Sequence, residues 1–475
     1  MTTQQNSPAS QASKIFDLLK QAVQGKELDF TQGSMRRAVL LLAIPMMLEM
    51  IMESVFALVD LYFVGHLHNS SEAIQTVGLT ESVLAIIYSL AVGMSMAATA
   101  VVARRIGEKD PVAAAKAGMQ AILVAVAFNL ALSIAGFIYA REILMLMGAS
   151  ANTATAGTPF IQIMMCGSTI IVLLFLINGI FRGAGNAAIA MKSLWVANVA
   201  NIILCPILIN GFGPIPAFGL TGAAIATTIG RGLGVCYQVY QLIKGNGQLK
   251  IKLAYFIPQS KQIVALLKIA VPAIFQFVIA SCSWIFLAQL VATTGGDHGS
   301  AGYQTALRLM MFFMLPAWGL SGAAATLVGQ NLGAKNLKRA EDSVWQTTKY
   351  ILIYMGIAMV LCLLAGHYFI SFFTDDVLIQ QIAARGLNMM SAGFLFYGVG
   401  MVMTSTFNGA GDTTTPTLIN FFGFWLFQIP LAFILSKHFN MGPDGVFIAI
   451  PVAETGIAIA GYLLFKKGSW KTKQV

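Results

Sequence analysis

The sequence runs to 475 residues, 57% hydrophobic and only 10% charged, with a mean hydropathy of +0.75 and a formal net charge of +10. Soluble domains carry about 25% charged residues, so this composition excludes a soluble globular protein and points to an integral membrane protein. The basic excess is not read as a nucleic-acid footprint, because it is distributed along the chain as membrane topology demands. The first 35 residues are polar, and the apolar run after them is too long and too acidic for a signal-peptide core, so no cleavable leader is expected.

Taken in order, residues 11–24 read as an amphipathic helix, with Ile15, Phe16, Leu18, Leu19, Ala22 and Val23 on one side and Lys14, Asp17 and Lys20 on the other. Such a segment lies at the membrane surface, packs on the core, or stays a loosely ordered tail. Twelve spanning helices follow, at about 38–65, 77–103, 117–140, 158–181, 187–210, 219–243, 269–293, 302–328, 350–373, 385–407, 414–436 and 445–465. Each is near the ~20 residues needed to cross the hydrocarbon.

The first span is unusual in carrying three acids, Glu49, Glu53 and Asp60. At about 100° per residue, the step from Glu49 to Glu53 is about 40° and that from Glu53 to Asp60 about 20° back, so all three share one face. An acid near a bilayer centre costs roughly 2.5–3.5 kcal/mol on insertion scales and usually faces a wet cavity or a partner. The stripe is therefore expected to handle a proton or a small cation. Glu53, deeper than Asp60, suits a proton carrier, and Glu49 either lines a cavity or pairs with a basic group.

With the N-terminus in the cytoplasm, 24 of the 29 basic residues fall in cytoplasmic segments or their flanks. By the positive-inside rule both termini are inside. The chain also repeats itself. FRGAGN at 181–186 recurs as FNGAGD at 407–412, Gly93 matches Gly319, and Gly107 matches Gly333, all at an offset of 226. AIP at 43–45 matches AVP at 270–272, and FGLTGAAIA at 218–226 echoes MGPDGVFIA at 441–449. Six spans per half make the halves parallel, related by an axis along the membrane normal with a cavity between them. The expected division is a tail at 1–35, an N-lobe at 36–243, a linker at 244–268, a C-lobe at 269–465 and a basic tail at 466–475. The five cysteines all fall inside apolar runs without ligand spacing, and the histidines are scattered, so neither disulfides nor a metal-dependent enzyme is expected.

The ordered set of AIP followed by an aspartate and FVG in the first span, ARRIGEKD, RGAGN, NxxLxP at 201–206, GLTGAAIAT at 219–227, VGQNLGAKN and NGAGD resembles the multidrug and toxic compound extrusion (MATE) family over about residues 36–465. The resemblance implies an all-α membrane fold with two six-helix lobes in a V. It also implies efflux of amphiphilic, mostly cationic compounds in exchange for H+ or Na+, without another cofactor, in a bacterial inner membrane; we expect a monomer. Residue by residue, Asp60 matches the first-helix aspartate of the N-lobe cation site, Asn178 the polar residue of the fourth helix, Asn201 the fifth-helix asparagine, and Thr227 a sixth-helix threonine. Cys205 stands where the archaeal-type pattern has an aspartate. Ala280 stands where some bacterial members have a glutamate, and its first-half counterpart is Glu53. We infer that Glu53 supplies the charge missing at Cys205.

Outside that set, Glu49, Gln276, Tyr303, Met310, Met314, Trp318 and Tyr397 are candidate cavity residues, the methionines because a flexible thioether adapts to varied ligands. Glu81 reads as structural. Arg308 is placed in the cavity, where it could counter an acid. Asp412 reads as a turn or cap residue. Arg231 and Glu454, equivalent by the repeat, either bridge the lobes or, as the favoured reading, snorkel near the inner surface. The competing functions are a lipid-linked saccharide flippase of the same superfamily, which should show a basic cavity, a channel, and a membrane-embedded enzyme, for which no His/Asp or Ser/Lys constellation is visible.

Overall fold

The computed structural model describes residues 8–25, 29–65, 70–245 and 249–473, with the side chains at 8–15, 57–58, 60–62, 64–65, 70–74 and 253 left out. Among the described residues the fold is all-α. The first half comprises α1 (Pro8–Gln24), α2 (Met35–Gly65), α3 (Ser70–Gly107), α4 (Pro111–Ile138), a short α5 (Ala140–Leu146), α6 (Ala151–Gly183), α7 (Ala187–Asn210) and α8 (Gly219–Lys244). The second comprises α9 (Ser260–Gly333), α10 (Leu337–Ser371), α11 (Val377–Ser391), α12 (Phe394–Gly409), α13 (Thr414–Asn420), α14 (Ile429–Phe433) and α15 (Pro443–Lys467).

The twelve expected spans are recovered once three irregularities are read physically. Helix α9 breaks at Gly296, whose φ of 61° and ψ of −156° only glycine adopts easily, so its two arms are separate spans. Helices α11 and α12 meet at 54° and form one bent span. Residues Thr414–His438 form one span that widens into π-turns at Phe421–Gln428 and Ile434–His438, the first of them just before Pro430.

The repeat is visible at atomic detail. Lys109 and Lys335, 226 apart, both adopt left-handed backbone conformations, with φ of 64° and 57°. At the first, Lys109 N donates to Ile106 O and Asp110 N to Arg105 O; at the second, Lys335 N donates to Leu332 O and Asn336 N to Asn331 O. Both are Schellman helix ends. Each is followed by a capping side chain, Asp110 accepting from Ala113 N at 2.9 Å and Asn336 from Arg339 N at 3.1 Å. The RGAGN and NGAGD loops turn alike through Gly185 (φ 87°) and Gly411 (φ 82°).

Small residues let the halves meet, and they do so reciprocally. A Cβ on Gly107 would strike the carbonyl of Gln330, and one on Gly333 would strike that of Arg104. Gly93 lies on the backbone of Ile274 and Gly319 on that of Met46 and Met47. Thus α3 crosses the far arm of α9 near the side where the termini lie, while α3 with the near arm and α2 with the far arm make the two equivalent crossings.

On that terminal side a strap joins the halves. Arg339 of α10 donates to the carbonyls of Phe30, Gln32 and Gly33 at 2.7–3.2 Å. Lys109 of the first half holds Asp29 at 2.7 Å, and Phe30 is buried against Gly185. Burial pushes the Asp29 carboxyl up, but hydrogen bonds from Lys109 and Thr31 outweigh it and hold the group below its ordinary value. From the other terminus, Lys473 reaches Asp412 at 3.1 Å, and Arg104 donates to the Lys473 carbonyl. Helix α1 packs on α2 and α7 through buried Ala22, with Lys192 donating to Gln24 O at 3.4 Å, and leaves Phe16 and Leu19 facing outward. Of the alternatives for this segment, docking on the core describes residues 16–24.

Candidate functional site

Two cavities lie where the halves face each other, and Trp318 lines both. The first, about 440 Å³, is lined by Glu53, Glu81, Tyr88, Thr227 and Arg231 of the first half, with Phe277 and Trp318 of the second. The other, about 230 Å³, is lined mainly by the second half, including Gln276, Ala280, Met314, Trp318, Tyr397, Asn408 and Glu454. A smaller space of about 110 Å³, lined by Met50, Ser95, Arg182, Trp318 and Asn408, adjoins them. A further cavity of about 650 Å³ is lined by Ser54, Trp284, Gln304 and Arg308.

The acid stripe on α2 resolves into different environments. Glu53 is on the cavity wall, its side chain 20% exposed; Oε2 accepts from Asn198 Nδ2 at 3.2 Å and Oε1 from Arg231 at 3.4 Å. Arg231 in turn lies under three rings, 5.4 Å from Phe56, 5.7 Å from Tyr88 and 5.9 Å from Phe175. Such aromatic faces stabilise a desolvated guanidinium. Glu49, one turn earlier, is 1% exposed and sealed in the first half. Its Oε1 accepts from Asn178 Nδ2 at 3.0 Å and Arg182 Nη1 at 3.4 Å, while Oε2 meets no hydrogen-bond partner among the described residues. Of its two readings, pairing with a basic group is the observed one. The Asp60 side chain lies outside the described residues, although its backbone is the continuation of the same helix.

The remaining N-lobe candidates gather around these acids. Asn178 also accepts from Ser193 Oγ at 2.8 Å and Gln238 Nε2 at 2.7 Å, so its amide is fully engaged as a hub. Asn201 Nδ2 donates to Thr227 Oγ1 at 3.0 Å, and Thr227 shares the cavity wall with Glu53. On the other side, Gln276, Met314, Trp318 and Tyr397 line the smaller of the two facing cavities. Tyr303 and Met310 do not line any of these cavities. Both are fully buried, Tyr303 stacked on Phe447 at 6.0 Å, because their face of α9 turns into the second-half core.

One expectation is corrected. Arg231 and Glu454 neither snorkel nor bridge the halves. They are 3% and 4% exposed, Arg231 pairing with Glu53 in its own half and Glu454 hydrogen-bonding Tyr397 in its own. A buried charge must be paired or hydrogen-bonded, and each found its partner on a neighbouring helix. Glu81, read as structural, lines the 440 Å³ cavity. Asp412 does sit in its turn, accepting from Thr415 Oγ1 at 2.7 Å, and adds the contact to Lys473. Arg308 lines the 650 Å³ cavity.

Three functional neighbours escaped the sequence reading: Arg182, Asn198 and Arg231 as partners of the acids. Helical spacing held the signal. Arg182 is four residues after Asn178, Arg231 four after Thr227, and Asn198 three before Asn201, so each shares a face with a chosen residue.

A protein-family model described as MatE matches the chain twice, at residues 45–207 and 272–434, in step with the repeat. The probable multidrug resistance protein NorM of Thermotoga maritima is 23% identical over 440 residues, covering 93% of this chain and 94% of that one. The multidrug export protein MepA of Staphylococcus aureus is 24% identical over 439 residues, covering 92% and 94%. A crystal structure of MATE in complex with MaL6 superposes with a TM-score of 0.88 at 25% identity, covering 95% of this chain and 99% of that one. The outward-facing conformation of a multidrug resistance MATE transporter of the MOP superfamily gives 0.87 at 25% identity, covering 94% and 98%. Twelve spans in two matching halves that enclose a shared, partly charged cavity are the frame of a transporter rather than an enzyme, and the chain belongs to the MatE family.

Proposed function

We propose that this chain is a secondary active exporter of amphiphilic, mostly cationic compounds, exchanging them for H+ or Na+ at a site built on Glu53 and Asp60 with Asn178, Asn201 and Thr227 around it. The observation that carries the reading is the position of Glu53: a carboxylate on the cavity wall, in reach of water, balanced against a buried arginine on another helix. Names borne by the relatives, multidrug resistance and export proteins, supply the class of cargo.

In this mechanism an arriving proton or sodium ion competes with Arg231 for the Glu53 carboxylate. Loss of that attraction loosens α2 from α8, and α2 is the helix that crosses the far arm of α9 at Gly319. A ligand shifts two states only by its different affinity for them, so the ion must bind Glu53 better when α2 has moved. Gln276, Met314, Trp318 and Tyr397 contact the cargo. The lobes divide at residues 36–243 and 269–465 around a 244–268 linker. The protein acts as a monomer in a bacterial inner membrane, with both termini cytoplasmic and the strap side therefore inward.

Dye efflux from vesicles under an imposed pH gradient or an imposed sodium gradient tests the reading. Wild-type protein is expected to move dye under one of the two, and Glu53→Gln and Asp60→Asn to lose that movement while inserting normally. Full gradient-driven efflux by Glu53→Gln overturns the assignment.

A further inference from the structure

Two acids of α2 in the first half have basic partners close by, Glu49 with Arg182 and Glu53 with Arg231. Glu454 differs. It is 4% exposed, midway along α15, and no basic group comes within ion-pairing distance of it among the described residues; its hydrogen-bond partner is the neutral Tyr397. It lines the 230 Å³ cavity together with two amide acceptors that lack donors among the described residues, Gln276 Oε1 and Asn408 Oδ1, on residues 6% and 3% exposed. Two unsatisfied amide acceptors beside a carboxyl group that has no basic partner are costly unless a ligand brings donors to them. The same cavity is also lined by Trp318 and Phe277, whose rings lie 5.4 Å apart.

We propose that Glu454, Gln276 and Asn408 form an ammonium-binding subsite in the second half, which selects amphiphiles carrying a protonated amine with N–H groups over quaternary ammonium compounds. The carboxylate supplies the countercharge, and the two amide oxygens accept the N–H bonds that a quaternary nitrogen cannot make. Trp318 and Phe277 receive the apolar body. Selection on hydrogen-bond donors is the stronger kind, because a ligand without them leaves buried acceptors unpaired. The subsite lies apart from the Glu53 site, and it rests on the export reading only in taking its ligand to be cargo.

The test is a binding titration on the full chain in lipid nanodiscs, by calorimetry, with 2-(1-naphthyl)ethylamine and its N,N,N-trimethyl analogue. The amine is expected to bind about tenfold more tightly than the analogue, and Glu454→Gln, which removes the countercharge both cations use, is expected to weaken both about tenfold. Gln276→Met, which keeps volume and charge, is expected to narrow the gap by a few-fold, so the idea remains testable if Glu454→Gln does not fold. Equal affinities on the wild type, a preference that Gln276→Met leaves unchanged, or affinities that Glu454→Gln leaves unchanged in folded protein overturn the subsite. Binding requires no ion gradient. Selective binding without gradient-driven efflux therefore counts against the export reading and for the subsite, and efflux without selectivity counts the other way.

Discussion

At the positions that the repeat makes equivalent, the first half carries Glu53 and Arg231 and the second carries Ala280 and Glu454. The first half thus holds an ion pair on its cavity wall, and the second holds a single acid. Yet the same halves agree residue for residue at Gly107 and Gly333, at the left-handed Lys109 and Lys335, and at the caps Asp110 and Asn336. The contrast separates two kinds of constraint. A close helix crossing excludes even one extra carbon, so symmetry persists wherever backbones touch. Charge is constrained only as a local balance, and each cavity wall strikes its own.

The sharpest way to break the comparison is to remove an arginine from the first half. Arg231→Met leaves Glu53 unpaired, and Arg182→Met leaves Glu49 buried without its countercharge. Breaking a buried pair costs about 3–5 kcal/mol, and because Arg182 and Glu53 are each partly exposed we expect the lower end. Thermal unfolding in detergent should show both variants melting well below wild type, whereas Glu454→Gln, which breaks no ion pair, should not melt lower. A lower melting point for Glu454→Gln would mean that the second half hides a partner for it.

A smaller effect tests the shared scaffold. Gly107→Ala and Gly333→Ala meet equivalent carbonyls, so each should destabilise the crossing of α3 with the far arm of α9 by about 1–3 kcal/mol, as overpacking does, and by similar amounts. Cysteine cross-linking across that crossing would read both. Unequal damage would show that the repeat is only approximate where it looks strictest.

The smallest effect concerns the strap. Lys109→Ala should cost no more than about 1 kcal/mol, since both partners are largely in water, and should raise hydrogen exchange at residues 29–34. Because folding holds the Asp29 carboxyl below its ordinary value, the contact contributes above about pH 4 and is lost as pH falls through that lowered value. Lys335, which occupies the equivalent loop position, has no ion pair among the described residues, so Lys335→Ala should leave exchange in the strap unchanged.

Much of this was legible in the chain. Span number, repeat and matching glycines follow from hydropathy and from rules that act within one helix or one turn. Of the acid stripe, Glu49 and Glu53 are both engaged on the first-half side, as a shared face requires. What the sequence hid were partners, because which arginine meets which acid depends on helix rotations set by packing. Arg182 carried no reading of its own, and Arg231 looked like a snorkelling cation. Tyr303 and Met310 failed as cavity residues for a related reason: an aromatic or methionine on a long apolar helix carries no mark of which side faces ligand. Their neighbours Met314 and Trp318, on the same helix, do line a cavity.

The strap turns the closing of the terminal side into a three-body matter. Arg339 holds three carbonyls of a segment that Lys109 holds from the opposite half. Any motion that parted α3 from α9 at Gly107 and Gly333 would carry that short stretch with one half and break its hold on the other.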